Sequence, residues 1–252
     1  MIKVVLIGSG NVASHLIQSL KNNNSIDLVQ VYTRSKKSLE NKIDSTKITT
    51  EFSSLKEADI YIIAVSDKVI EDVSNQIPFS NKLVVHTSGT MDYKIMNPKN
   101  KRGVFYPLQT FSKNKEIHMQ SVPFCLETEN EEDYNVLEIL AKNLSKLVYK
   151  IDGKQRKSLH ISAVFVSNFV NHIYHIGHEL CKKNNVPFAI LQPLIEETAN
   201  KIKTLTPLQA QTGPAIRNDE NIIEQHLEAL QNTTYKDLYQ KLTLSIQHAK
   251  KL

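Results

Sequence analysis

The sequence predicts an α/β protein, with a parallel sheet in its first half and an all-helical second half, on three observations. Short β-rich runs alternate with helical patterns up to about residue 150, the alternation that builds parallel sheets. A glycine-containing turn joins the first of these strands to the first helix. Beyond Asp152-Gly153 the periodicity is helical almost to Leu252, interrupted by Pro187, Pro193, Pro207 and Gly213-Pro214.

In chain order, Lys3 to Ile7, Asp27 to Tyr32, Ile60 to Val65 and Lys82 to His86 read as buried strands. Gly103 to Leu108 and Val122 to Glu127 are strand-like runs around a polar stretch. A helix from about Glu131 to Leu144 then leads to the run Leu147 to Ile151, and these three runs are placed to extend the sheet. Asp152-Gly153 is a turn signal. The expected domains are therefore 1–152, carrying the sheet, and 153–252, all helical.

Composition narrows the partners. The chain of 252 residues is 40% hydrophobic and 23% charged, an ordinary globular balance. No apolar run approaches the roughly 20 residues needed to cross a bilayer, and Met1-Ile2-Lys3 leads straight into an apolar strand, with no room for a secretion signal. Cys125 and Cys181 stand far apart, which fits a reducing compartment and a cytoplasmic location. The net charge of +5 is spread over dispersed lysines with no aromatic-interleaved basic strand, so no nucleic acid and no membrane partner is expected. A basic balance suits an anionic cofactor.

The turn Gly8-Ser9-Gly10-Asn11-Val12-Ala13 fits G-x-G-x-x-A, directly after an apolar strand and before the amphipathic run Val12 to Leu20. Gly8 permits a tight turn, Gly10 lets a pyrophosphate reach the backbone, and Ala13 lets the helix pack closely on the strand. The helix N-terminus offers unpaired N–H groups to phosphate. This is the signature of a Rossmann-type dinucleotide site, the alternative being a tight turn that binds nothing. An acidic residue at the end of the second strand would bind the ribose hydroxyl of NAD. Thr33-Arg34-Ser35 stands there instead, and a guanidinium with two hydroxyls suits the extra phosphate of NADP(H). Arg34 as a plain surface cation, with Ser35 capping a helix, is the other reading. Ala64-Val65-Ser66 and Thr87-Ser88-Gly89 end the next two strands at the edge where such sheets bind ligands, although Ser66 or Asp67 also suits a helix cap.

Five blocks of sequence resemble one bacterial family. They are Gly8-x-Gly10-Asn11-Val12-Ala13, His86-Thr87-Ser88-Gly89, Phe105-Tyr106-Pro107-Leu108-Gln109-Thr110-Phe111-Ser112, the stretch His160-x-x-Ala163-x-Phe165-x-Ser167-Asn168-Phe169-x-Asn171-His172, and Gln211-Thr212-Gly213-Pro214-Ala215-Ile216-Arg217. The family is one of Rossmann-like predicted NADP-dependent oxidoreductases with a C-terminal helical domain of unknown function. The resemblance implies a fold similar to pyrroline-5-carboxylate reductase, prephenate dehydrogenase and the 6-phosphogluconate dehydrogenase group, and a homodimer through the helical domain. Phosphogluconate-type enzymes carry a catalytic Lys and Asn one turn apart on the first interdomain helix. Here His160 and Asn168 occupy that region without the lysine.

At 100° per residue, His160, Ser167, Asn171, His175 and His178 fall within about 80° of one another and make one polar stripe. His160 and Asn171 stand roughly 16 Å apart along the axis, so only the first half of the stripe can meet one small substrate. Imidazole suits proton donation to an oxygen that becomes an alcohol, with Ser167, Asn168 or Asn171 orienting the carbonyl. A solvated or subunit-contacting polar face is the bland alternative. Gln109 follows a strand end and joins the candidate catalytic set. Thr212 and Arg217 form a polar turn suited to a substrate carboxylate or phosphate, or else Arg217 pairs with Asp219 or Glu220. No sequence-local acid or cysteine completes a metal set with His172, His175 and His178, so no metal is expected. The chemistry expected is hydride transfer between NADP(H) and a small carbonyl or imine compound bound between the domains. An NADP-binding regulator or scaffold without turnover is the alternative.

Overall fold

The structure, a computed structural model, describes residues 1–40, 42–113 and 115–249. It divides into two compact units, Met1–Ser167 and Asn168–Leu252. The last three residues of the expected helical half lie outside the described residues.

The first unit runs β1 (Ile2–Ile7), α1 (Asn11–Lys21), β2 (Ile26–Tyr32), β3 (Ile48–Thr49), β4 (Ile60–Ile63), α2 (Ile70–Gln76), β5 (Leu83–His86), β6 (Lys101–Pro107), β7 (Phe124–Thr128), α3 (Glu131–Leu144), β8 (Val148–Lys150) and α4 (Gly153–Ala163). The strands form one sheet in the order β3-β2-β1-β4-β5-β6-β7-β8. All neighbours are parallel except β6 and β7, which are antiparallel. A tight connection is not the cause, since a polar stretch separates the two strands; β7 simply returns against β6 before α3 crosses over to the parallel β8.

All four residues of β4 and of β5 are buried, because helices cover both faces of the sheet. Alternate residues serve the two faces. Val4, Leu6, Ile60 and Ile62 pack with Leu16 and Leu20 of α1 and Leu137 of α3. Val5, Ile7, Tyr61 and Ile63 pack with Ile70 of α2. The chain leaves β1 toward β2 and β3, then returns to place β4 on the other side of β1. That reversal puts a crevice at the carboxyl ends of β1 and β4.

The turn at Asp152-Gly153, where the domain boundary is expected, caps α4 instead of separating the units. Asp152 accepts the Gln155 N–H at 2.8 Å while the Gln155 side chain accepts from Asp152 N–H, a reciprocal cap. Arg156 then anchors α4 in the sheet unit: it is fully buried and meets Glu127 of β7 at 3.0 Å. The boundary between the two units falls inside Val164–Phe169, which is π-helical. Because each turn of a π-helix takes in an extra residue, Ser167 does not keep the 100° spacing from His160 that the stripe assumes.

The second unit holds α5 (Val170–Lys183), α6 (Gln192–Lys201), α7 (Pro207–Ala210), α8 (Pro214–Arg217), α9 (Glu220–Ala229) and α10 (Lys236–Ala249). Thr206 and Gln209 cap α7 reciprocally, and Asn218 ends α8 in the left-handed region at φ 55°. Among its described residues only Ala215 and Thr243 are buried, while Ile190, Leu194, Ile202 and Leu208 are each more than half exposed. Among the described residues no helix is long and apolar enough to cross a membrane.

Candidate functional site: a dinucleotide cleft and a tyrosine–histidine pair

Gly8 follows β1 with φ +136°, and a Cβ there would lie 2.1 Å from the carbonyl oxygen of Ala64 after β4. Only glycine lets the two strand ends approach this closely. Gly10 is the N-cap of α1, and a Cβ on it meets nothing within 4 Å. Open space therefore faces the unpaired N–H groups of the first helical turn, the arrangement that holds phosphate.

A cleft of about 720 Å³ runs from this turn across the carboxyl ends of β1, β2, β4 and β5. It is lined by Gly8, Ser9, Gly10, Asn11, Val12, Thr33, Arg34, Ala64, Val65, Ser66 and Thr87, together with Tyr32, Phe52 and residues of α2 that sequence reasoning did not single out. Tyr32 and Phe52 lie ring against ring at 4.0 Å. Volume and lining fit a dinucleotide.

The hydroxyl of Thr33 is committed within the protein. It lies 3.0 Å from both Ser9 Oγ and Ser38 Oγ, so the residue is a buried tie between the phosphate turn and the end of β2. Arg34 is exposed at the rim with its guanidinium uncommitted among the described residues. Ser35 is outside the lining, and its side chain does not cap the short helical turn that follows. The Asn11 side chain donates to Phe111 O at 3.0 Å, and His15 Nε2 lies 3.0 Å from Ser112 O. These two bonds strap the loop after β6 to the start of α1.

Ser88 and Gly89 also stand apart from the cleft. The Ser88 hydroxyl accepts the N–H groups of Thr90 and Met91, both at 3.1 Å, and so shapes the turn after β5. Gly89 is buried, and a Cβ on it would come within 2.7 Å of both His160 Nδ1 and Tyr106 Cζ. Tyr106, near the end of β6, places its hydroxyl 3.1 Å from His160 Nδ1. Burial pushes the Tyr106 hydroxyl up to about 12, with Cys125 adding to the rise and the Arg156 guanidinium opposing it.

Arg156 lies one turn before His160 on α4. Its Nη2 donates to Met91 O at 2.8 Å, while Nε and Nη1 have no hydrogen-bond partner among the described residues. Burial raises the Glu127 carboxyl above its usual range, and the guanidinium pulls the other way. His86, fully buried at the end of β5, is held down to about 4, first by burial and then by Arg156. Nothing in the sequence marked Arg156, because Lys-Gln-Arg-Lys reads as a solvated face.

The other expected catalytic and substrate residues are divided between the two units. Gln109 turns its side-chain oxygen onto the N–H of Thr110 at 2.8 Å. Ser167 is half-buried in the π-helical turn of the first unit, whereas Asn168, Asn171, Thr212 and Arg217 are exposed in the second.

The parallel sheet, the cleft at its reversal point and the glycine turn together define a dinucleotide-binding Rossmann-type protein. Comparison with known proteins then gives the family. Residues 3–89 match the family described as "NADP oxidoreductase coenzyme F420-dependent", and residues 122–246 match a domain of unknown function, DUF2520. The crystal structure of "putative NADP oxidoreductase BF3122" from Bacteroides fragilis shares 39% identity over 98% of both chains, with a TM-score of 0.88. The chain belongs to that NADP oxidoreductase family. An imine reductase from a Pseudomonas species shares the fold at 18% identity, covering 98% of this chain and 94% of that one, TM-score 0.71. So does the pyrroline carboxylate reductase of Plasmodium falciparum, solved with NADP bound, at 17% identity, 99% and 97% coverage and TM-score 0.63. No curated protein matches the chain by sequence.

Proposed function

We propose that this oxidoreductase moves a hydride between NADP(H) and a small carbonyl or imine compound, with His160 handling the proton. The observation that carries this reading is one short segment: Thr87 lines the dinucleotide cleft, and Gly89, two residues on, packs against His160 and Tyr106. A cofactor lying along the cleft is thereby led toward the one imidazole–phenol pair at the carboxyl edge of the sheet.

The bound cofactor supplies or accepts the hydride. The chain's own residues do the rest. The turn Gly8 to Val12 and the first N–H groups of α1 hold the pyrophosphate. Arg34 takes the ribose phosphate, with Thr33 fixing the loop from which it projects. The strap from Asn11 and His15 to the loop 111–112 steadies the opposite wall. His160 donates a hydrogen bond to the substrate oxygen or nitrogen and delivers its proton as the carbon accepts hydride. The reading includes a cytoplasmic location, supported by the free thiols of Cys125 and Cys181. It also includes a homodimer through the helical unit, supported by the exposed Ile190, Leu194, Ile202 and Leu208.

NADPH at a hundredfold excess over its Kd should stabilise the protein by about 2.7 kcal/mol, and NADH by less. Arg34→Ala should weaken NADPH binding roughly 10- to 100-fold, one lost charge-assisted hydrogen bond, and leave NADH binding unchanged. If calorimetry detects no association with either coenzyme, the proposed chemistry fails with its cofactor. A panel of keto acids and cyclic imines, followed by NADPH oxidation, identifies the substrate class. His160→Ala should abolish that turnover while NADPH still binds.

A further inference from the structure

In the hydride-transfer reading above, His160 gives up a proton, but the source of that proton is unassigned. Tyr106 is the one hydroxyl within hydrogen-bond reach of the ring, 3.1 Å from Nδ1, and Nε2 has no partner among the described residues. The ring is thus engaged on one side and open on the other.

The two rings are held together by the absence of a side chain at Gly89. A Cβ there would fall 2.7 Å from His160 Nδ1, 2.7 Å from Tyr106 Cζ and 3.0 Å from Tyr106 Oη, inside contact distance of all three. The turn after β5 is thus bare of a side chain where the pair meets.

A phenol is a better donor than acceptor, and a neutral imidazole nitrogen is a strong acceptor. On that ground the hydroxyl hydrogen is assigned toward Nδ1 and the ring's own hydrogen to Nε2. Burial keeps the phenol protonated well above neutral pH, so its proton is present throughout that range. The groups facing it are Cys125 on β7, which raises the phenol further, and Arg156 on α4, which lowers it and is itself paired with Glu127. Arg156 supplies the positive charge that a phenolate formed in passing would meet.

We infer that Tyr106 and His160 form a proton relay, in which the phenol and not an imidazolium is the source of the proton. As hydride adds to the substrate carbon, the Nε2–H bond breaks and its proton joins the substrate oxygen or nitrogen. The Oη–H bond of Tyr106 breaks in turn and its proton joins Nδ1. The electron pair of the broken O–H bond stays on the phenolate oxygen, which regains a proton from water after product leaves. The inference rests on the assignment of His160 made above.

The test uses the full-length protein with NADP+ bound, its histidines labelled with 15N. The native protein should show His160 as a single neutral tautomer, protonated at Nε2. Tyr106→Phe should leave a mixture of tautomers. With the best-turned-over member of the keto acid and cyclic imine panel, native kcat should stay level as pH rises through neutrality. Tyr106→Phe should lower kcat, keep KM and NADPH affinity within about twofold, and lose activity progressively as pH rises, because without the phenol only an imidazolium can supply the proton. Gly89→Ala, which parts the two rings while keeping both, should reproduce that falling limb. An unchanged tautomer and a level profile in both variants would overturn the relay. Full turnover by His160→Ala would instead sink the assignment on which it stands.

Discussion

The sheet unit and the helical unit stabilise themselves by different means. In the first, β4 and β5 are buried along their whole length and Leu16, Leu20 and Leu137 close the faces over them. In the second, among the described residues only Ala215 and Thr243 are buried, and leucines and isoleucines stand in the open on several helices. One unit carries its own apolar core, whereas the described residues of the other leave much of their apolar surface exposed. The residues proposed for catalysis sit with the first kind: His160 and Tyr106 are placed by strands, a glycine and a buried arginine, all belonging to the sheet unit.

The largest expected effect breaks the sheet unit at its one fully buried ion. Glu127→Ala leaves the Arg156 guanidinium buried without its counter-charge, and the loss should be about 3–5 kcal/mol, read from urea unfolding. Replacing both residues by leucine should recover most of that loss, since the cost lies in the unpaired charge. If the single and double variants are equally unstable, packing and not charge is what the pair contributes.

Leu16→Ala and Leu194→Ala then set the two units against each other. The first should cost about 2–5 kcal/mol at any protein concentration, the cost of a cavity in a closed core. The second should cost little within a single chain, about 0.5 kcal/mol or less at an exposed site, but weaken self-association by the roughly 1.5–3 kcal/mol of a buried leucine. Sedimentation of the native protein and of Leu194→Ala over a range of concentrations measures it. A native protein that is monomeric throughout would remove the homodimer from the proposal.

His86 gives the sheet unit a pH dependence of its own. Its unfolded imidazole takes a proton near 6.5, while the folded one, desolvated and facing Arg156, waits until about 4. In that window the unfolded chain binds more protons, so stability falls as pH falls from about 6.5 to about 4, by roughly 3 kcal/mol in all. Glu127, whose folded carboxyl is raised, works in the opposite direction as pH falls. The difference between native protein and His86→Asn isolates the histidine, and parallel unfolding curves across that window would show that His86 is not desolvated as described.

The same contrast governs what was legible in the sequence. The strands of the buried sheet were, because a strand covered on both faces is an apolar run, and Lys3 to Ile7 and Ile60 to Val65 fall on β1 and β4. The two-residue β3, Ile48–Thr49, was too short to carry a pattern, and the antiparallel turn of β7 leaves no local mark. The phosphate turn was legible because backbone geometry demands glycine at Gly8, while Gly10 leaves open space before the helix N-terminus. Gly89 was read only as lining the cofactor's path; its close approach to residues far along the chain left no sign in the sequence. Arg156 was invisible, since a lone buried arginine has the same letter as a solvated one. The π-helical turn Val164–Phe169 breaks the 100° rule without glycine or proline to announce it, which is why the polar stripe lost Ser167.

The smallest predicted effect separates the units by a motif they share. Asp152 with Gln155 opens α4, and Thr206 with Gln209 opens α7, each as a reciprocal cap. Locally the two are alike, so propensity alone assigns them the same value. The helices they begin are not alike. α4 has eleven residues and carries Arg156 into the sheet unit and His160 to Tyr106; α7 has four, with none buried. Asp152→Ala should therefore cost about 1 kcal/mol or somewhat more and also reduce turnover, because fraying the first turn loosens the arginine that seats the catalytic helix. Thr206→Ala should cost a few tenths of a kcal/mol, since a one-turn helix frays readily with or without its cap. Equal losses for the two would mean that the cap acts on its own turn alone, and that the seating of α4 owes nothing to how it begins.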